Sequence, residues 1–186
     1  VKRIVLLLPL VALVSTLGPS VTAADPYPQR RDGFYLGLGL GGGSGAVSMT
    51  GNGLSVSSDR QGGAVGSLRM GWGLHPQLSV GMESNAWART QNGTRVSFSV
   101  ATLGATYYPN PEQGIFLRAG VGGGSETLAA TSGQTTATAS QSGFGFTGGV
   151  GYEMRLTPHW ALGPALDFGY VSVDNAGVTM SANYVN

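Results

Sequence analysis

Large apolar side chains recur at every second position in stretches of about ten residues, and that period decides what this chain can become. Residues 33–43 place Phe34, Leu36, Leu38 and Leu40 on one parity, with Gly37, Gly39 and Gly41 between them. Successive side chains of a strand point to opposite faces, so such a stretch is apolar on one side only. Residues 60–72 set Ala64, Gly66, Leu68, Met70 and Trp72 against Ser67, Arg69 and Gly71. Residues 77–86 set Leu78, Val80 and Met82 against Ser79, Gly81 and Glu83. The same alternation runs through residues 114–123, 143–156 and 160–170, and residues 178–185 give a last short strand. Residues 95–108 are mixed: Val96, Phe98 and Val100 share one parity, Leu103, Ala105 and Tyr107 the other. A β-bulge near Ala101 is expected to reconcile them. No segment sustains a 3.6-residue apolar period, which leaves eight strands and no helical span.

The connectors alternate in character. Residues 73–76 (GLHP), 109–113 (PNPEQ) and 157–159 (TPH) are short turns containing proline. Residues 44–59, 87–94 and 125–142 are longer and rich in Ser, Thr, Gly and Asn, followed by a short 174–177. Short turns at one end and long polar loops at the other are the plan of a membrane barrel. The expected fold is all-β: an eight-stranded antiparallel up-and-down transmembrane β-barrel, preceded by a cleavable signal peptide. The long connectors are expected to be mobile, solvated loops.

The leader is read from Lys2-Arg3, the apolar run of residues 4–17, and the small residues Val21-Thr-Ala23. This order of charge, apolar run and small residues is that of an export signal. The expected organisation is a signal peptide over residues 1–23, a short N-terminal segment over 24–32 and the barrel over 33–186. From Ala24 onward there are eight Arg, no Lys and nine acidic residues, so no basic face for nucleic acid is present. The chain has no cysteine, which excludes disulfides and thiolate metal sites.

Charges test the barrel directly, because a charge facing hydrocarbon costs about 2–4 kcal/mol at mid-membrane. Arg69, Glu83, Arg118, Glu153, Arg155 and Asp167 all fall on the parity opposite the large apolar residues. Three are basic and three acidic, so the lumen is expected to neutralise itself as an ion-pair network. Arg69 and Glu83 flank one short turn, and Arg118 and Glu153 flank residues 125–142, which suggests these as pairs. A conducting path is the functional alternative, but about eight strands give an interior that side chains fill. Trp72, Tyr107, Tyr108, Phe116 and Trp160 are expected to form an aromatic girdle near the short turns. Trp87, Phe144, Phe168 and Tyr170 are expected to form the other girdle.

The leader, the opening FYLGLGLGGG strand, the YYPNPEQGIFLRAGVGGG hairpin and the FGFTGGVGYEMRLTPHWALGPALDFGY hairpin together carry a resemblance. The chain resembles the small eight-stranded outer-membrane β-barrel proteins of Gram-negative bacteria, the OmpA/OmpX-like type. That resemblance implies an outer-membrane location, contact with outer-membrane lipids and lipopolysaccharide, and insertion by the barrel-assembly machinery. Such barrels end in a strand with a terminal aromatic, whereas this sequence stops at SANYVN, so the last strand is expected to be incomplete.

Other chemistry is thinly represented. His75 and His159 sit in short proline-containing turns with no carboxylate placed to orient them, and no cluster has metal-ligand spacing. Gly37-x-Gly39-x-x-Gly42 matches a dinucleotide fingerprint, but no helix follows it, and the pattern repeats at Gly143, Gly145 and Gly148. No catalytic residue, cofactor or metal is expected. The favoured expectation is a non-enzymatic, monomeric integral outer-membrane protein with a side-chain-filled lumen, contributing to envelope structure and to surface interaction through its extracellular loops. Arg89 and Arg95 are its expected lipopolysaccharide contacts. A narrow channel for ions or small solutes is the alternative, and a lipid A-modifying barrel enzyme the second alternative.

Overall fold

The alternating stretches form strands because β-branched, aromatic and leucine side chains pack on a pleated surface while glycine and polar residues occupy the other face. The computed structural model describes residues 31–51, 54–91, 93–132, 135–175 and 178–186. The expected signal peptide and residues 24–30 lie outside the described residues.

Eleven strands are described: β1 (Gly33–Gly51), β2 (Leu54–Ser57), β3 (Gln61–His75), β4 (Leu78–Gln91), β5 (Thr94–Tyr107), β6 (Ile115–Ser132), β7 (Thr135–Tyr152), β8 (Met154–Arg155), β9 (Ala161–Leu162), β10 (Ala165–Asn175) and β11 (Val178–Val185). All pairings are antiparallel, and β1, β3, β4, β5, β6, β7, β10 and β11 form a ring of eight that closes through β11 and β1. Strand β2 extends the β3 wall beside the far end of β1 (Ser48↔Ser57 to Gly51↔Leu54), and β8 with β9 forms a separate small hairpin. The closing seam runs from Ser44↔Val185 to Gly51↔Val178. Over residues 33–43, β1 has β3 on one edge and no neighbour on the other among the described residues. Arg60 straps the seam from outside, donating to the Ser44 carbonyl at 3.2 Å and to Asn183 Oδ1 at 2.5 Å.

Three details differ from expectation. The bulge near Ala101 is absent: β5 keeps an unbroken register with β4 and with β6 from Thr94 to Tyr107. Both apolar parities are used at once, because Leu103 and Tyr107 face outward while Phe98 and Val100 are buried inside. The stretches 44–59, 87–94 and 125–142 are mostly strand rather than loop; the β6–β7 ladder continues from Ser125↔Ser142 to Ser132↔Thr135. Residues 125–142 lack proline and carry threonines suited to strands, so the register set in the wall propagates into water. Hydroxyl contacts support it, with Ser99 to Ser125 at 2.8 Å and Thr127 to Ser140 at 3.2 Å. Finally, the expected strands 143–156 and 160–170 are each interrupted, at Glu153 and at Gly163-Pro164. Proline has no N–H for the ladder, although Tyr152 still donates to the Pro164 carbonyl at 2.9 Å.

The outward face carries a continuous apolar band beside the short turns. It includes Phe34, Leu36, Leu38, Leu40, Met70, Val80, Met82, Leu103, Leu117, Val121, Val150 and Leu166, all exposed. Above it the outward residues turn polar, as at Ser84 on β4 and Ser142 on β7, so the far hairpins project beyond the band. Leu38, 78% exposed in mid-band, is a direct probe of this surface. Leu38→Arg is expected to cost about 2–4 kcal/mol in a folding titration in lipid. A loss below 1 kcal/mol would mean that Leu38 faces water.

Candidate functional site: the filled lumen and the far rim

Inward-facing residues fall into three layers, and each layer closes the barrel differently. The middle layer is ionic. Arg118 pairs with Asp167 and approaches Glu83, Nε to Oε2, at 3.6 Å. Both members of the Arg118–Asp167 pair are more than nine-tenths buried. Asn85 donates to Glu83, and the Thr102 and Thr147 hydroxyls meet at 3.0 Å. Arg69 is the direct cross-strand partner of Glu83, yet the carboxylate reaches across the lumen to Arg118 instead. An eight-stranded interior is narrow enough for side chains of non-adjacent strands to meet, so adjacency in register does not dictate pairing. The suggested Arg118–Glu153 pair does not form; Glu153 pairs with Arg155 at 3.5 Å and accepts from Tyr108 at 3.1 Å. A cavity of about 20 Å³ lies in this layer, bordered by Tyr35, Arg69, Glu83, Thr102, Arg118 and Thr147. That is room for one water.

Toward the far end the lumen becomes apolar. Val65, Trp87, Phe98, Val100, Val171, Val173, Ala182 and Tyr184 form one buried cluster. Trp87 and Phe98, cross-strand partners, stack with ring centroids 4.9 Å apart and planes at 11°. Glycine on neighbouring and opposite strands makes this possible. A Cβ at Gly63 would stand 2.6 Å from Trp87 Cε2, and one at Gly45 would stand 3.0 Å from Phe98 Cε2. A Cβ at Gly169 would run into the Tyr184 ring.

The near end has a floor built around Arg31, just before β1. Its guanidinium lies 3.6 Å from the Tyr108 ring centroid and donates to the carbonyls of Pro111 at 2.9 Å and Gln113 at 2.8 Å. Burial lowers the Arg31 pKa, while Tyr108 and Glu153 oppose the fall. Burial also pushes the Tyr108 phenol up, and the Glu153 charge adds to it. Tyr108 packs against Phe116 with centroids 6.0 Å apart. Arg31→Ala removes two carbonyl contacts and a cation–π contact; it is expected to cost about 1–3 kcal/mol. Urea titration of the detergent-folded protein reads this, and an unchanged midpoint would remove Arg31 from the floor.

The aromatic expectations divide. Trp72, Tyr107 and Trp160 are exposed near the short turns, and Phe144 and Phe168 are exposed on the outward face. Tyr108, Phe116 and Trp87 are corrections: all are buried inside the barrel, because each has inward parity. Arg89 and Arg95 lie on opposite faces of the β4–β5 hairpin. Arg95 is exposed and outward; Arg89 shares the parity of Trp87, donating to the Gly62 carbonyl at 3.5 Å and to Gln91 at 2.7 Å. His75, the last residue of β3, and His159, in the bend after β8, are both exposed. Both glycine fingerprints lie wholly within strands, β1 and β7. Arg31 and Asn85 carry no sequence signal that marks them: Arg31 precedes the first strand, and Asn85 is uncharged.

This arrangement, a lipid-facing ring around a side-chain core, bears on the comparison with known proteins. The profile of the family described as the outer membrane protein beta-barrel domain matches residues 10–185. The chain belongs to this family. The barrel is therefore located in the outer membrane. No curated protein sequence matches it. Among solved structures it is similar to Ail, the attachment invasion locus protein of Yersinia pestis, with 12% identity and a TM-score of 0.49 over 83% of this chain and 95% of that one. It is also similar to Neisserial surface protein A, with 16% identity, a TM-score of 0.46 and coverage of 83% and 96%. The N-terminal barrel of Pseudomonas aeruginosa OprF shows 10% identity and a TM-score of 0.41 over 77% and 93%.

Proposed function

We propose that this outer-membrane barrel is a non-enzymatic, non-conducting envelope protein that acts through its water-exposed far hairpins. The observation that carries the reading is the layered lumen: an ionic middle between an apolar plug and a floor of Arg31, Tyr108 and Phe116. A path for hydrated ions would have to cross the Trp87–Phe98 stack, where burial of apolar side chains excludes water. The proposed roles of Arg69, Glu83, Arg118, Glu153, Arg155 and Asp167 are structural. Its proposed partners are outer-membrane lipids, the barrel-assembly machinery during insertion and, through the outward-facing Arg95, lipopolysaccharide phosphates; Arg89 faces the other way and is engaged with the barrel itself.

Planar-bilayer recording of the purified protein tests the reading. Absence of unitary current steps is expected, and a stable voltage-independent conductance would favour the channel alternative. Mass spectrometry of lipid A from cells with and without the protein addresses the enzyme alternative; unchanged acyl composition is expected.

A further inference from the structure

One carboxyl on the inner wall of the far half has no partner. Glu126 on β6 is nine-tenths buried at the edge of the apolar plug, with Phe98 on β5 and Gln141 on β7 directly opposite it. Its Oε1 and the Oε1 of Gln141 are both buried and make no hydrogen bond among the described residues. Cβ atoms of directly opposed residues stand about 4.5–5.5 Å apart, which brings the two side chains within reach of each other. An ionised carboxylate only accepts, so these two oxygens lack the proton that would join them. Among the described residues no cation compensates the charge. Arg89 on β4 is engaged with the Gly62 carbonyl at 3.5 Å and with Gln91 at 2.7 Å, and Arg95 on β5 is exposed on the outer face. Strands β1, β7 and β11 carry no charged residue, and Tyr184 lies within the plug. Asp174 on β10 has the parity opposite to the buried Val171 and Val173. Burial pushes the Glu126 pKa up, since a carboxyl out of water is cheaper to keep neutral.

We propose that Glu126 takes up a proton and then donates it in a hydrogen bond to Gln141, locking β6 to β7 on the inner face of the far hairpin. The position of this rung gives it leverage. The last β7–β10 pair is Phe144↔Ser172, so beyond Gly143 the hairpin is laddered to the ring through β5 alone. A carboxyl with its folded pKa above its unfolded one contributes stability that is fully present below the unfolded value, about 4.3 for glutamate. That contribution is lost as pH rises through the folded value, where the proton leaves and the carboxylate must reach water. Acid therefore tightens residues 126–141 and rising pH loosens them. The lock acts on the hairpins through which the barrel is proposed to work, but it holds whether or not they meet a partner.

The test uses the full chain reconstituted into phosphatidylcholine vesicles. Because the native chain has no cysteine, a spin label on Thr138→Cys, an exposed position, reports the hairpin alone. Its mobility is expected to rise by about twofold between roughly pH 4 and pH 8, as local opening becomes easier. Glu126→Gln places an amide donor beside Gln141 at every pH, and it is expected to keep the low-pH spectrum throughout. Its urea midpoint in detergent should nearly match that of the parent at the acid end and exceed it at the alkaline end. Gln141→Leu removes the acceptor and is expected to leave the label mobile at both ends. All variants must show the same heat-dependent gel shift, which separates a lost lock from a lost fold. Mobility that does not change with pH in the parent, or a pH response that survives Glu126→Gln, would overturn the proposal. If the response is flat in a barrel that is electrically silent, the lock fails while the reading of a filled envelope barrel stands.

Discussion

Replacing Arg118 with alanine is expected to lower the unfolding free energy by about 3–5 kcal/mol, the usual cost of stranding a buried charge. Urea titration in detergent micelles measures it. Arg118 pairs with Asp167 and lies beside Glu83, so its removal leaves two carboxylates against the single cation Arg69 in a site that excludes bulk water. The cost comes from the unpaired anions more than from a large net gain in the intact network, since desolvation offsets most of the attraction. The same argument predicts rescue. Adding Asp167→Asn to Arg118→Ala is expected to restore more than half of the loss, because Glu83 then still faces the charge of Arg69, its cross-strand partner, and neither sign is in excess. A single-variant loss under 1 kcal/mol, or no recovery in the double variant, would contradict the network.

Trp87→Ala is expected to cost about 3–5 kcal/mol by the same titration, the range for emptying a large aromatic from a packed core. Trp87 is 2% exposed, stacks on Phe98 and fills the space that Gly63 leaves open on the neighbouring strand β3. Relaxation is limited because the ladders on both sides of β4 fix the backbone. A cost below 1 kcal/mol would indicate that the indole faces lipid, as its place in a girdle would require.

Much of the wall was legible because lipid and lumen impose opposite demands on alternate residues. Phe34 to Leu40 against Gly37 to Gly41 is readable at sight, and all six charges expected in the lumen lie on the lumen parity. The far half was harder to read. There water lies outside and apolar packing lies inside, so the pattern reverses its meaning: Val96, Phe98 and Val100 resemble a lipid face shifted by one residue and suggested a bulge. Ser, Thr and Gly between 125 and 142 look like loop composition, and only the paired wall beneath them makes a hairpin of that stretch. Pairing inside the lumen was not legible either. Glu83 sits beside Arg69 in register but turns to Arg118, a choice set by the width of the barrel and not by sequence spacing. Glycine abundance was visible, whereas the particular facing of Gly45 on Phe98 and Gly124 on Val171, between strands that do not pair, depends on three-dimensional closure.

The inside–outside assignment of β5 carries the account most directly, and a cysteine scan from Val96 to Tyr107 measures it. The native chain contributes no background thiol. Spin labels read by oxygen collision in bilayers should show an unbroken period of two. Leu103, Ala105 and Tyr107 are predicted to be accessible to the apolar quencher, with Val96, Phe98, Val100 and Thr102 protected and no change of phase at Ala101. A phase reversal at Ala101, or accessibility without a two-residue period, would contradict the barrel described here.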